Sequence, residues 1–241
     1  MHVVFRESHG LEETDTPQDL AQAPAELVVL SFSDSDLGAF ASGWYRGGGD
    51  RGRMPTLRLA NLSALRHPLS VDTYIEQTLD GAKGILVRLI GGVPYWAYGI
   101  QQVHELARRK GLALAVLPAD GRADDRLDAL STLPVSTLRR LQHLCDSGGT
   151  VAAQAALQQM ALASGLYAGP VRGSKELPQV GAWTPEEGVC CPQIQLADAR
   201  PLALLVFYRS YLVAADLAPL DALAHAFRDR GFAVLGLFAP S

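Results

Sequence analysis

The sequence predicts an α/β fold: parallel-sheet βαβ units with helices on both faces, followed by a helical segment and the start of a second α/β domain. Three observations carry that expectation. ELVVLSF (26–32), GILVRLI (84–90) and LALAVLP (112–118) are apolar runs without polar alternation, the pattern of strands covered on both faces of a sheet. Between such runs, apolar residues recur at helical spacing. The scheme then restarts near the carboxyl end with LALLVFY (202–208), a helical stretch, and FAVLGLF (232–238).

Taken in order, MHVVF (1–5) reads as a short strand, and the acidic stretch to Pro24 as a loop. ELVVLSF leads into DLGAFASGWY, a helix opened by the Ser-Asp-Ser-Asp cluster at 33–36. Short polar side chains there suit an N-cap; the competing reading is a pair of metal-binding carboxylates, Asp34 and Asp36. RGGGDRGRMP (46–55) is a loop by composition, and TLRLANL (56–62) a strand. Val71, Tyr74, Ile75, Thr78 and Leu79 then fall on one helical face, with Ser70 or His67 as candidate caps. Beyond GILVRLI, the residues Ile100, Val103, Leu106 and Ala107 mark a helix that ends in Arg108-Arg109-Lys110 and stops at Gly111.

The organisation expected is an α/β domain over 1–133, a helical segment over 134–167, a linker or surface excursion over 168–200, and an incomplete second α/β domain over 201–241. A closing βαβ pair alone lacks neighbouring strands and one helix layer, which predicts a truncated chain.

With 48% apolar and 19% charged residues, the composition is that of a globular protein, and a net charge of −4 argues against a nucleic-acid-binding surface. The three cysteines, Cys145, Cys190 and Cys191, form no C-x-x-C pair, so neither a disulfide framework nor a zinc site is expected. The first residues lack the pattern of a signal peptide, and no apolar stretch approaches a bilayer span. The expectation is a cytoplasmic protein without membrane contact. No G-x-x-x-x-G-K-[ST], H-E-x-x-H or G-x-S-x-G occurs, and RGGGDRGR lacks the strand–helix context of a dinucleotide fingerprint.

The informative stretch is RLIGGVPYWAYG (88–99). Gly91 and Gly92 end an apolar strand at the sheet edge where α/β folds bind ligands, and Tyr95, Trp96 and Tyr98 follow with flat apolar faces. The rings either face a ligand or pack under the loop. His67 lies at the same edge, as a ligand contact or as a helix cap. Arg58, Arg66, Arg88 and Arg209 sit in or beside strands, where a guanidinium requires either a structural carboxylate or an anionic ligand. Together these features suit a large planar ligand bearing carboxylates.

PTLRLANLSALRHPLSVDTYIEQTL (55–79) and VRLIGGVPYWAYG (87–99), with VVLSFSDSDL (28–37) and LVFYRSYLVAADLAPLDAL (205–223), resemble the cobaltochelatase large subunits of the CobN and magnesium-chelatase H family. The resemblance covers nearly the whole chain but only the amino-terminal portion of that family. It implies a subunit that binds a tetrapyrrole, hydrogenobyrinic acid a,c-diamide. Partner subunits forming an AAA+ ATPase drive Co²⁺ insertion in aerobic cobalamin biosynthesis. On this reading, the chain itself binds no cofactor, Co²⁺ and Mg-ATP serve the complex, and nucleic acid has no part. His67, Arg88, Gly91, Gly92, Tyr95, Trp96 and Arg209 are the implied tetrapyrrole-binding residues. Catalytic residues are not identified, no metal ligand is expected in this stretch, and the chain alone is expected to be inactive. The alternatives are a non-catalytic docking module for the ATPase subunits, or the head of a chelatase for another metal.

Overall fold

The computed structural model describes residues 16–171, 176–191 and 200–240. The strand expected at 1–5 lies outside them. Strand β1 (Leu27–Ser31) is flanked by β2 (Leu57–Asn61) and β3 (Gly84–Leu89), and β4 (Ala113–Pro118) extends the sheet beyond β3. The order is β2-β1-β3-β4 with every pair parallel, and Val29 stands opposite both Leu59 and Leu86.

Alternate residues of these strands serve two cores, as the two-residue period of a strand demands. Val28, Leu30, Ile85, Val87, Leu114 and Val116 face α2 (Pro68–Gln77) and α3 (Ala97–Lys110), meeting Val71, Tyr74, Ile100, Val103 and Leu106. Leu27, Val29, Leu86, Ala115 and Leu117 face α1 (Asp34–Arg46), α5 (Val135–Ser147) and α6 (Gly149–Ala163). The helices expected as a separate segment over 134–167 thus close the second face of the first sheet. Alanine-rich α6 lets α1 approach closely: a Cβ on Gly43 would lie 2.5 Å from the Gln154 nitrogen.

A short helix, α4 (Asp125–Leu130), follows β4. Sequence periodicity does not reveal it, because six residues with one buried side chain, Leu127, are too few to display a period.

The second unit is a mixed sheet. Strands β7 (Leu202–Tyr208) and β8 (Ala233–Ala239) are parallel and joined through α7 (Ser210–Ala214) and α8 (Ala218–Arg228). The stretch expected as an excursion contributes a hairpin, β5 (Gly181–Thr184) and β6 (Gly188–Cys190), and β5 pairs antiparallel with β8. Strands of four and three residues carry too little alternation to be read from sequence. Trp183 is the centre of this small core, edge-on to Phe207 at 5.8 Å, with Phe238 beside Phe207 at 6.0 Å. Helix α7 packs on α1 and α6, which joins the two units.

Candidate functional site

Chain order marks the edge at which open α/β sheets generally bind ligands. From β1 the chain steps outward to β2, then returns past β1 to β3, so the carboxyl ends of β1 and β3 flank the point of reversal where open α/β sheets form a crevice. Here that crevice is filled from within. Arg88, only 4% exposed, donates to Asp146 Oδ1 at 3.1 Å, and its Nε lies 3.4 Å from Asp36 Oδ2. Ser31 Oγ, at the end of β1, donates to the same Asp36 oxygen at 2.9 Å. Burial pushes the Asp146 carboxyl above its ordinary range, and Arg88 pulls it back only in part. Cys145 lies against this cluster, and burial pushes its thiol up to about 11.

The other arginines beside strands are also engaged by the chain itself. Arg58 donates to the carbonyls of Ala23 and Leu57, Arg66 stacks 5.9 Å from the centre of the Phe32 ring, and Arg209 donates to the carbonyls of Leu177 and Pro178. Of the two partners that sequence allowed for Arg88, the structure supplies the carboxylate. The Ser33–Asp36 cluster likewise resolves into structure. Ser33 Oγ caps α1 by accepting from the Asp36 amide, and Asp34 accepts from Asn61 at the end of β2.

One strand further along, the edge is open. The loop after β3 and the 118–127 segment after β4 enclose a cleft of about 490 Å³, within the range of small-molecule sites. Gly91 and Gly92 form one wall; Asp120, Arg122, Asp124 and Arg126 stand on the other. Both glycines have positive φ, +75° and +77°. A Cβ on Gly91 would come within 2.2 Å of the Tyr95 ring, so the missing side chain is what lets that ring lie on the backbone. Asp124 caps α4 and takes both Nε and Nη2 of Arg126 at 3.1 Å, which holds its carboxyl below the usual range.

The three aromatic residues divide. Trp96 is buried and donates from its indole to the Leu65 carbonyl at 2.8 Å, fixing the start of α3 to the segment before α2. Tyr98 donates to Asp72 at 2.8 Å and ties α3 to α2. Tyr95 is 67% exposed and offers its free face to solvent beside the cleft. His67 caps α2, its Nδ1 accepting from the Leu69 amide at 3.1 Å. Of the seven residues proposed from sequence, Gly91 and Gly92 line the cleft and Tyr95 adjoins it through Gly91. His67, Arg88, Trp96 and Arg209 do not line it. Arg122 and Arg126 were not singled out by sequence reasoning. Their signal is positional: PADGRADDR (118–126) follows the next parallel strand at the same edge.

Among the described residues, no cluster of three or more His, Cys, Asp or Glu side chains is placed to hold a metal ion. No helix there is long and apolar enough to cross a membrane.

No family model matches the chain. Curated relatives do. Over its whole length the chain is 31% identical to aerobic cobaltochelatase subunit CobN of a Sinorhizobium species, covering 19% of that protein. Over 90% of its length it is 36% identical to aerobic cobaltochelatase subunit CobN of Pseudomonas aeruginosa, covering 17% of that protein. Along nearly its whole length the chain is therefore similar to one part of the CobN subunits. It spans less than a fifth of the CobN subunits it matches. A solved structure, the catalytic subunit of cobaltochelatase from Mycobacterium tuberculosis, shares the fold with a TM-score of 0.62 at 22% identity, over 89% of this chain and 16% of that one.

Proposed function

We propose that this chain is the amino-terminal part of a cobaltochelatase large subunit. The open carboxyl edge of its first sheet contributes to holding the tetrapyrrole, hydrogenobyrinic acid a,c-diamide. Cobalt enters that ring in the cytoplasm, with ATP hydrolysed by separate AAA+ subunits. The observation that supports this reading most is the cleft itself, with Gly91 and Gly92 on one wall, Arg122 and Arg126 on the other, and the exposed Tyr95 ring at its side.

The chemistry follows from the groups present. Bare backbone at two glycines allows a flat macrocycle to approach closely, and a tyrosine face offers stacking. The guanidinium of Arg122 suits a ring carboxylate, whereas that of Arg126 is already shared with Asp124. These residues bind and orient. The residues that carry metal into the ring belong to other parts of the subunit, so the 241-residue chain is inactive alone even with partner subunits and ATP.

Spectral titration of the full-length subunit with the diamide tests the reading. Tyr95→Ala and Arg122→Ala are each expected to weaken binding about tenfold, the loss of one stacking or charge-assisted contact worth about 1.4 kcal/mol. Unchanged affinity in both, with the ATPase subunits still co-purifying, would favour a docking role for this part instead. Cobalt insertion by the isolated chain would overturn the predicted inactivity.

A further inference from the structure

Strand β7 has two unlike faces. Register with β8 sets Leu205 and Phe207 beside Gly236 and Phe238, in the core closed by Trp183, Leu212 and Ala224. Leu202, Leu204 and Val206 alternate with them and are 44%, 51% and 77% exposed. An unbroken apolar strand of this kind is what a parallel sheet carries when both faces are covered. In the order β6-β5-β8-β7 the strand is also terminal, so its outer backbone edge has no strand beside it among the described residues. An open edge beside an aliphatic stripe is a surface that folded proteins ordinarily cover.

The matching CobN subunits carry more than four fifths of their length outside the span they share with this chain. We propose that β7 is an intramolecular seam. In the full-length subunit, a later segment of the same polypeptide continues the sheet with a parallel strand at the β7 edge and lays an apolar helix over Leu202, Leu204 and Val206. A second copy of this chain is the poorer occupant, because three aliphatic side chains on one strand fall well short of the roughly 1,200 Å² that a stable dimer buries. The seam rests on reading the chain as part of a longer subunit and is independent of tetrapyrrole binding.

Hydrogen exchange measured by mass spectrometry on the 241-residue chain and on the full-length gene product tests it. The peptide covering 202–208 is expected to exchange at least tenfold more slowly in the full-length product, while a peptide from β1 stays equally protected in both. Equal exchange at 202–208 overturns the seam and leaves the longer-subunit reading standing. A reading frame that stops after Ser241 overturns both. Dimerisation of the short chain that itself protects 202–208 also overturns the seam, because a second copy then occupies the face. Val206→Asp provides a second check: it is expected to destabilise the full-length product and leave the short chain unchanged, and equal effects on both count against the seam.

Discussion

Strands β4 and β7 arise from closely similar sequences, LALAVLP (112–118) and LALLVFY (202–208), yet they occupy different surroundings. Every residue of β4 is buried, with α3 and α4 on one side of the sheet and α5 on the other. Along β7, only Leu205 and Phe207 are buried. Local sequence therefore selects the strand, and the number of layers packed on it decides what the strand contributes to stability.

Their neighbouring arginines provide the largest expected contrast. Arg88 is a buried cation shared by two carboxylates, so Arg88→Ala leaves Asp36 and Asp146 without their partner and should cost about 4 kcal/mol. Arg209→Ala removes two hydrogen bonds to carbonyls at a partly exposed site and should cost about 1 kcal/mol. Urea unfolding of both variants measures the difference. Equal losses would mean that the cluster at the point of reversal is no more constrained than the edge of the second sheet.

Next in size is the comparison of the strands themselves. Leu114→Ala empties a fully buried site in β4 and should destabilise by about 3 kcal/mol, whereas Leu204→Ala in β7 should cost less than about 1 kcal/mol. A large loss at Leu204 would show that its face is covered.

The strand ends differ as well. Gly91→Ala forces a side chain into positive φ and into the Tyr95 ring, with an expected cost of about 2 kcal/mol and a change in tyrosine fluorescence. No glycine ends β7, where Arg209 follows Tyr208 directly.

The cysteines provide the mildest contrast. Cys145, raised by burial to about 11, should resist a thiol-modifying reagent at pH 8 in the folded chain, while the exposed Cys191 reacts. The sign of the linkage follows from the same shift. Because the folded value lies above the ordinary 9.0, this contribution to stability is fully present below about pH 9 and is lost as pH rises through about 11. Cys145→Ala should abolish that part of the alkaline decline, as thermal unfolding between pH 8 and 11 would record.

Much of the fold was legible because it is local. Unbroken aliphatic runs marked β1, β3 and β4, helical spacing marked α2, α3 and α8, and the polar cluster at 33–36 marked the start of α1. The candidate site was legible only in part. Gly91 and Gly92 announce a strand end that a bare backbone opens, whereas Arg122 and Arg126 acquire meaning only once β4 is set beside β3.

By itself, the sequence determined which stretches form strands and helices, where several helices begin and end, and the likeness to CobN, since these reside in residue order. The tertiary structure alone decided that Arg88 answers Asp146, a residue 58 positions away, that Trp96 turns inward while Tyr95 stays outside, and that β5 joins β8. The physical reason is range. Periodicity and capping act over a few residues, but the partner of a buried charge and the face a ring presents depend on segments that only the packed chain brings together.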